Sequence, residues 1–468
     1  MLSLLILLHI YFVSFLDKPE KTAPQLSPRA VEQRAKWHIP TDQMDYPVSQ
    51  AYMNELVKKG VKIHHKSRWF NGVTCEMDKE LAEKIADLDF VTDVEMTRDN
   101  STPIYYAKHR MPSVRVQTEG VYEGDMTDNQ LNIYNLFPLI QAGYEGQGIL
   151  MAICDGAFYN ANSLSCFRPD ELQLGAYDFT DDKTGFYGYT GTHGTECLSV
   201  ITGIRNSFYG AATRAQYVLM RSEEEDTESP KEMDNLVAAL ETADSLGVNV
   251  FSVSLGYAMF DNDAWTLPKS ALDGKSTRVS LAATIAARKG MLVCVAAGNE
   301  GNSTWHTISA PADADSILTV GAVDVNGKIG DFSSFGPSAD GRIKPEVCAV
   351  GVRTTLIYPD GSIVRNNGTS FATPLLAGLA ATLWSALPDE NAMQIRERII
   401  QSADRYTTPD INQYGYGIPD AWIAYQADIP SAKQNTLKEA NSTKVLRNGQ
   451  LLILHNGATY SVLGQLIE

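Results

Sequence analysis

Four side chains of complementary chemistry stand where apolar runs of this sequence give way to turns. ILMAICDGAF ends a run with Asp155, and YTGTHGTECLSVITG sets His193 in a glycine-bearing turn directly before an apolar helix. VCVAAGNEGN carries Asn299 past a third run. NNGTSFATPLLAGLAATLW opens a helix that is apolar on nearly every side with Gly368, Thr369 and Ser370. A serine hydroxyl is a poor nucleophile at neutral pH unless a base takes its proton as it attacks. Imidazole does this near its ordinary pKa, and a carboxylate holds the ring in the right tautomer. The oxyanion that forms needs fixed donors, which an asparagine amide and the unpaired N–H groups of a helix N-terminus supply. On this reading Gly368 lets a substrate backbone come close. Pro374 lies early enough in the helix for its missing N–H to cost little.

Taken singly, each residue has an ordinary structural use. Asp155 fits a turn or cap, His-Gly-Thr fits a loop, Asn299 fits a left-handed turn, and Gly-Thr-Ser fits a helix cap. What joins them is the architecture between about 130 and 425. There, short runs rich in β-branched residues (ILMAIC, YVLM, VNVFSVSL, MLVCVAA, SILTVGAV) alternate with helical stretches such as LVAALETADSLG and LAATIAARKG. Strands without polar alternation are buried on both faces, and their alternation with helices predicts a doubly wound, mostly parallel α/β sheet. Such sheets place ligands at the carboxyl ends of their strands, where the acid, imidazole, amide and hydroxyl all arise.

Over about residues 130 to 425 these segments resemble the subtilisin-like serine peptidases, the subtilase family. That family has an Asp after an apolar strand, then His-Gly-Thr, Ala-Gly-Asn and Gly-Thr-Ser-x-Ala-x-Pro, in this order. The resemblance implies that Asp155 orients the ring, His193 is the general base and acid, and Ser370 is the nucleophile. It implies that Asn299 and the Ser370 backbone N–H form the oxyanion hole. SVSLGY resembles the family's substrate-binding strand, so Ser254, Leu255 and Gly256 are expected to line a cleft beside Ala296, Ala297 and Gly298. An edge strand of this kind pairs with an extended peptide. The implied protein is a secreted serine endopeptidase, made as a zymogen and working through an acyl-enzyme. No cofactor or metal is expected in the chemistry, and structural calcium is left open. An α/β-hydrolase esterase is excluded by order, since that fold runs Ser, acid, His. The remaining alternative is a non-catalytic binding protein on a subtilase scaffold, against which four intact chemical groups argue. Two departures stand out: Asp155-Gly156-Ala157 replaces the family's Asp-Thr-Gly or Asp-Ser-Gly, and Glu196 is an unexpected charge two residues past Gly194.

The chain's 468 residues suggest about three domains at roughly 150 residues each. An apolar run within residues 1–16 is too short to span a membrane and reads as a signal peptide. Residues 17–97 contain a helix–strand–strand–helix–strand pattern from about 46, most of a ferredoxin-like α+β module. This module resembles a subtilase propeptide, which implies an intramolecular inhibitor. Residues 98–129 read as a linker holding the activation cleavage, 130–425 as the catalytic domain, and 426–468 as a three-strand β meander. The meander has Asn-Gly turns at Asn448-Gly449 and Asn456-Gly457 and weakly resembles a bacterial sorting domain. A formal net charge of −17 argues against nucleic acid as a partner. The six cysteines include no CxxC pair, so no zinc site is expected. The acidic loop RSEEEDTESP reads as solvated, with recognition of basic substrate residues or a cation as the sharper alternative. Polypeptide substrates, no transmembrane anchor, and a secreted, periplasmic or cell-surface bacterial location complete the expectation.

Overall fold

The computed structural model describes residues 7–20, 22–101, 127–180, 185–188, 190–224 and 227–427, and the backbone of 442–447, 450–455 and 458–461. The first elements are β1 (His9–Phe15), α1 (Pro28–Lys36), α2 (Gln50–Lys58), β2 (Lys62–Ser67), β3 (Gly72–Met77), α3 (Lys79–Ala86) and β4 (Val91–Arg98). Ser49 and Asp78 cap α2 and α3 by accepting from the backbone N–H groups of Tyr52 and Leu81, as short polar side chains at N-caps do. The strands form an antiparallel sheet in the order β2-β3-β1-β4.

The run expected to be the core of a signal is therefore the strand that the ferredoxin-like pattern lacked. Tyr11, Val13 and Phe15 point into the module's own core. On the opposite face, the Arg278 guanidinium lies 4.1 Å from the centre of the Phe12 ring. A strand covered on both sides needs no polar alternation, which is why its sequence passes for a signal. The module thus includes residues 9–15, ahead of the expected start at 17.

The larger part of the same compact unit, which runs to Tyr425, begins with α4 (Asp128–Asn132), α5 (Phe137–Gln141), β5 (Leu150–Asp155), α6 (Pro169–Leu172), β6 (Gln173–Asp178) and α7 (His193–Thr202). Then come β7 (Ile204–Arg205), β8 (Phe208–Tyr209), β9 (Gln216–Arg221), α8 (Pro230–Leu246), β10 (Val250–Val253), α9 (Arg278–Arg288), β11 (Leu292–Ala296), β12 (Leu318–Val323) and β13 (Val347–Val350). The hairpin β14 (Thr354–Ile357) and β15 (Ile363–Asn366) leads into α10 (Thr369–Ala386), followed by α11 (Ala392–Gln401) and α12 (Ala421–Gln426). Seven strands form one parallel sheet in the order β13-β12-β11-β10-β5-β9-β6. Side chains of β5 alternate between the two helical layers, Met151 and Ile153 in one core, Leu150, Ala152 and Cys154 in the other. All six cysteines are buried and free. Among the described residues, no helix is long and apolar enough to cross a membrane.

The N-terminal module rests on α8 and α9. From α8, Glu241 accepts from the Ser67 hydroxyl at 2.6 Å, and Asp244 takes the Arg68 guanidinium at 2.5 Å. From α9, Arg278 pairs with Glu95 of β4 at 2.5 Å. A long insertion between β1 and α2, carrying α1, reaches the far end of α8. Ser27 donates from its N–H and its hydroxyl to the carbonyls of Ser245 and Leu246, at 2.8 and 2.9 Å. Arg29 reaches the carbonyls of Gly148 and Gly247 and the Asn249 side chain. Gly247 ends α8 at φ +76, and a Cβ there would lie 2.7 Å from the Ala30 nitrogen, so both conformation and contact demand glycine.

Of the expected linker, residues 102–126 lie outside the described residues. Residues 426–468 form a second compact unit. In it β16 (Ser442–Arg447), β17 (Gln450–His455) and β18 (Ala458–Ser461) pair as an antiparallel meander. Both Asn-Gly pairs fall outside the described residues.

Candidate functional site

Asp155 is the last residue of β5 and is 1% exposed. One of its oxygens accepts from the backbone N–H of Gly156 at 2.8 Å. The family's hydroxyl is missing at the next position, so a peptide group does the anchoring here. His193, the first residue of α7, turns Nδ1 toward this carboxylate, 2.8 and 3.0 Å from its two oxygens. That contact puts the Nδ1 proton on the Asp155 side and leaves Nε2 as the basic atom. Burial opposes charging the ring. The Asp155 carboxylate and its hydrogen bond prevail, and the His193 pKa is raised well above its ordinary value.

Ser370 is the second residue of α10, which packs against α7. The neighbouring Phe371 ring lies 5.6 Å from the imidazole, centre to centre. The Ser370 hydroxyl donates to the Ser254 carbonyl at 3.3 Å, and no hydrogen bond to His193 is formed.

Pro374 acts differently from the sequence expectation. It lies within α10, where its missing N–H would have met the Ser370 carbonyl four residues earlier. That carbonyl instead accepts from the Ser254 hydroxyl at 2.8 Å and the Cys197 thiol at 3.3 Å. The proline releases a main-chain acceptor at the nucleophile, and the two side chains that fill it tie α10 to β10 and α7. Gly368 sits at φ +154, and the nearest atom to a Cβ added there would be 3.6 Å away, so its conformation, rather than crowding, selects glycine.

Asn299 follows β11. Its Oδ1 accepts from both the N–H and the hydroxyl of Thr369, each at 2.9 Å. A backbone N–H can only donate, so the amide orientation is fixed. The Nδ2 donors then face away from Thr369. Ser370, at the second position of α10, has a backbone N–H with no intrahelical acceptor.

Ser254, Leu255 and Gly256 run on beyond the end of β10. Ser254 is buried against Ser370, Leu255 is half-buried and Gly256 is exposed. Ala296 and Ala297 are buried, and Gly298, at φ +109, donates its N–H to the Thr369 hydroxyl at 3.3 Å. Both segments run on past the ends of β10 and β11, which are adjacent strands inside the sheet and not, as expected, at its edge.

Cys197 and Glu196 carry no role that the sequence alone assigns. Burial pushes the Cys197 thiol up to about 11, so it remains protonated and donates to Ser370. Its position one helical turn after His193 is the available signal. Glu196 is buried and engaged on both oxygens. In the acidic loop, Arg98 of the N-terminal module pairs with Glu224 at 2.5 Å, and Lys231 binds the same carboxylate. Among the described residues, two groups have metal-ligand spacing, Asp155/His193/Cys197 and Glu223/Glu228/Glu232, each with ligand atoms within 4.8 Å of one another. In the first, the thiol is held protonated and the carboxylate is engaged by the ring. In the second, Glu223 accepts from the Tyr257 hydroxyl, and Glu232 from the backbone N–H groups of Glu224 and Ser229.

Residues 146–417, more than half of the chain, match the model of the Subtilase family, and residues 10–112 match that of the Peptidase S8 propeptide domain of Bacteroidota. The second match also takes in β1 from Ile10 onward. Subtilisin DY of Bacillus licheniformis is 29% identical over 297 residues, 62% of this chain and 97% of its own length. A thermostable alkaline protease of Halalkalibacterium halodurans is 29% identical over 286 residues, 61% of this chain and 69% of its own. The crystal structure of MycP1 from the ESX-1 type VII secretion system has a TM-score of 0.52 at 22% identity, covering 66% of this chain and 89% of that one. That likeness is one of fold.

Proposed function

We propose that this chain, which belongs to the subtilase family and is a serine endopeptidase made with its own propeptide, cuts polypeptides through Asp155, His193 and Ser370. The observation that carries the reading is the contact of His193 Nδ1 with both Asp155 oxygens, at 2.8 and 3.0 Å, on a helix packed against the one that opens with Ser370. In the proposed reaction the Ser370 hydroxyl turns from the Ser254 carbonyl to His193. Nε2 takes its proton as Oγ attacks the scissile carbonyl, and Asp155 stabilises the imidazolium that results. The oxyanion is received by the Asn299 amide and the Ser370 N–H. His193 then passes its proton to the leaving amine, giving an acyl-enzyme that water hydrolyses by the same steps. Side chains and backbone N–H groups carry every step, so the reaction draws on no cofactor.

The substrate backbone would lie along Ser254, Leu255 and Gly256, facing Ala296 to Gly298, with the exposed Gly256 leaving room for an extended strand. The propeptide module would restrain the enzyme until processing between residues 98 and 129. A peptidase restrained in this way suits export, and we place its action outside the producing cell or at its surface. The test is Ser370→Ala in the full chain. It should abolish peptide hydrolysis and labelling by a serine-directed phosphonate, and leave the unprocessed precursor. Persisting hydrolysis in that folded variant would overturn the assignment of Ser370 as nucleophile, and a folded, processed wild-type chain that cuts no peptide would favour a binding role for the scaffold.

A further inference from the structure

The proposed mechanism leaves one buried ionisable group beside the site without a role. Glu196 is 3% exposed and lies on α7, three residues after His193. One of its oxygens accepts from the Thr192 hydroxyl at 2.8 Å, and the other from the Asn366 side-chain amide. Thr192 is the residue immediately before His193, and Asn366 ends β15, four residues before Ser370. The carboxyl therefore joins the turn that carries the imidazole to the strand that delivers the nucleophile. These parts of the chain are 170 residues apart.

The Thr192 hydroxyl is committed to this link. It occupies the N-cap position of α7 and makes no capping bond there, although threonine at that position ordinarily caps. Asn366 is 1% exposed, and among the described residues its Oδ1 has no hydrogen-bond partner. A buried acceptor left unpaired is costly, so the Asn366 side chain is held in place chiefly by Glu196. A second tie runs parallel to the first. The Ser199 hydroxyl donates to the Glu196 carbonyl at 2.7 Å and accepts from the Ile357 N–H of β14 at 2.9 Å, fastening α7 to the hairpin partner of β15.

We propose that Glu196 is a positioning residue for the reaction, setting the separation of His193 and Ser370 by bridging Thr192 to Asn366. This inference rests on the catalytic reading above, and it assigns Glu196 no contact with substrate. Spacing matters because a displacement of about 1 Å in a reacting group costs on the order of 10²-fold in rate.

The test compares Glu196→Ala, Glu196→Gln and Asn366→Ala in the processed enzyme, and Ser370→Ala in the full chain, with circular dichroism to establish folding. Glu196→Ala should lower kcat by about 10- to 100-fold with KM unchanged, and should slow phosphonate labelling to the same degree. Glu196→Gln should restore most of the rate. The glutamine oxygen accepts from Thr192, and its NH2 group donates to the orphaned Asn366 oxygen once that amide turns over. Asn366→Ala should match Glu196→Ala, with the double variant no slower than either, because both remove one link. Wild-type kcat in a folded Glu196→Ala variant, a loss confined to KM, or equal loss in the Gln and Ala variants would overturn the proposal. Should Glu196→Ala fail to fold, Asn366→Ala and Glu196→Gln carry the same comparison. Ser370→Ala separates the two ideas: it is inactive if the catalytic reading holds, whatever Glu196 does.

Discussion

Arg34 of the propeptide module places Nη2 2.8 and 2.7 Å from the two carboxylate oxygens of Asp244 on α8. Its Nη1 meets Asp45 at 2.7 Å, and Asp45 in turn binds Lys289, beyond α9, at 2.8 Å. Arg34, Asp45 and Asp244 are all at least nine-tenths buried. Removing one partner of such a pair leaves uncompensated buried charge and costs about 3–5 kcal/mol.

Arg34→Ala is therefore expected to loosen the propeptide by roughly two to three and a half decades in affinity, since about 1.4 kcal/mol is a factor of ten. After processing, the variant's propeptide should separate from the enzyme during gel filtration, where the wild-type pair stays together. Lys36→Ala should change little, because its partner Asp389 is 98% exposed and such pairs contribute about 0–1 kcal/mol. Co-elution of the Arg34→Ala pair would show that the attachment lies elsewhere.

Asn299→Ala should slow turnover by about 10²–10³-fold with KM little changed, the effect known for an oxyanion-hole amide in subtilisin. The structure adds a complication, because Asn299 Oδ1 also anchors both donors of Thr369. Asn299→Asp keeps that anchor while removing the N–H donors. Kinetics of both variants separate the two roles. An Asp variant as slow as the Ala variant points to oxyanion binding, and a fast one to anchoring of α10.

Positions of the acid, imidazole, amide and hydroxyl are legible in the sequence because each chemistry-bearing residue closes an unbroken apolar run or opens an apolar helix. The sheet can be read for the same reason: strands such as β5 are covered on both faces. That rule also hides β1, because a strand buried on both sides and a signal core share one pattern. The effect of Pro374 escapes the sequence because it lies in two hydroxyl and thiol partners, Ser254 and Cys197, from other strands and helices. Glu196 is visible as an odd charge, but its partner Asn366 lies across the fold, and no local pattern announces it.

The raised His193 pKa fixes the direction of the pH profile. Below that pKa the ring has no lone pair on Nε2, so kcat/KM should fall on the acid side, with the midpoint above about 6.5, the ordinary imidazole value. Asp155→Asn removes the carboxylate that raises it. The acid limb should then move to lower pH, while the rate drops about 10⁴-fold, as a triad does when its acid becomes an amide. Stability runs the other way. A group whose pKa is raised by folding stabilises fully below about pH 6.5 and loses that contribution as pH rises through the folded value. Thermal unfolding of Ser370→Ala across this range should show the loss, and Ser370→Ala/Asp155→Asn should not. An acid midpoint below about 6 in the wild-type enzyme would contradict the assignment of His193 as base.

Gly194 gives the sharpest steric prediction at the site. It follows His193 directly, and its N–H donates to the Ala157 carbonyl at 2.9 Å. A Cβ at this position would lie 2.5 Å from that carbonyl oxygen, 2.8 Å from the Phe158 ring and 2.9 Å from the Asp155 Cβ. Two of these neighbours are main chain or rigid ring, and the third is the root of the carboxylate that holds His193. Neither β5 nor α7 has slack, since both are buried along almost their whole length. Gly194→Ala must push the start of α7 away from the end of β5. Overpacking of this kind costs about 1–3 kcal/mol, and the accompanying shift separates Nδ1 from Asp155. The variant should unfold at lower temperature and lose about 10²-fold in kcat. Its acid limb should also move toward lower pH, because the carboxylate no longer supports the ring. A Gly194→Ala enzyme with wild-type kcat and an unshifted profile would mean that the Asp155–His193 contact tolerates displacement, against the close fit on which the proposed chemistry depends.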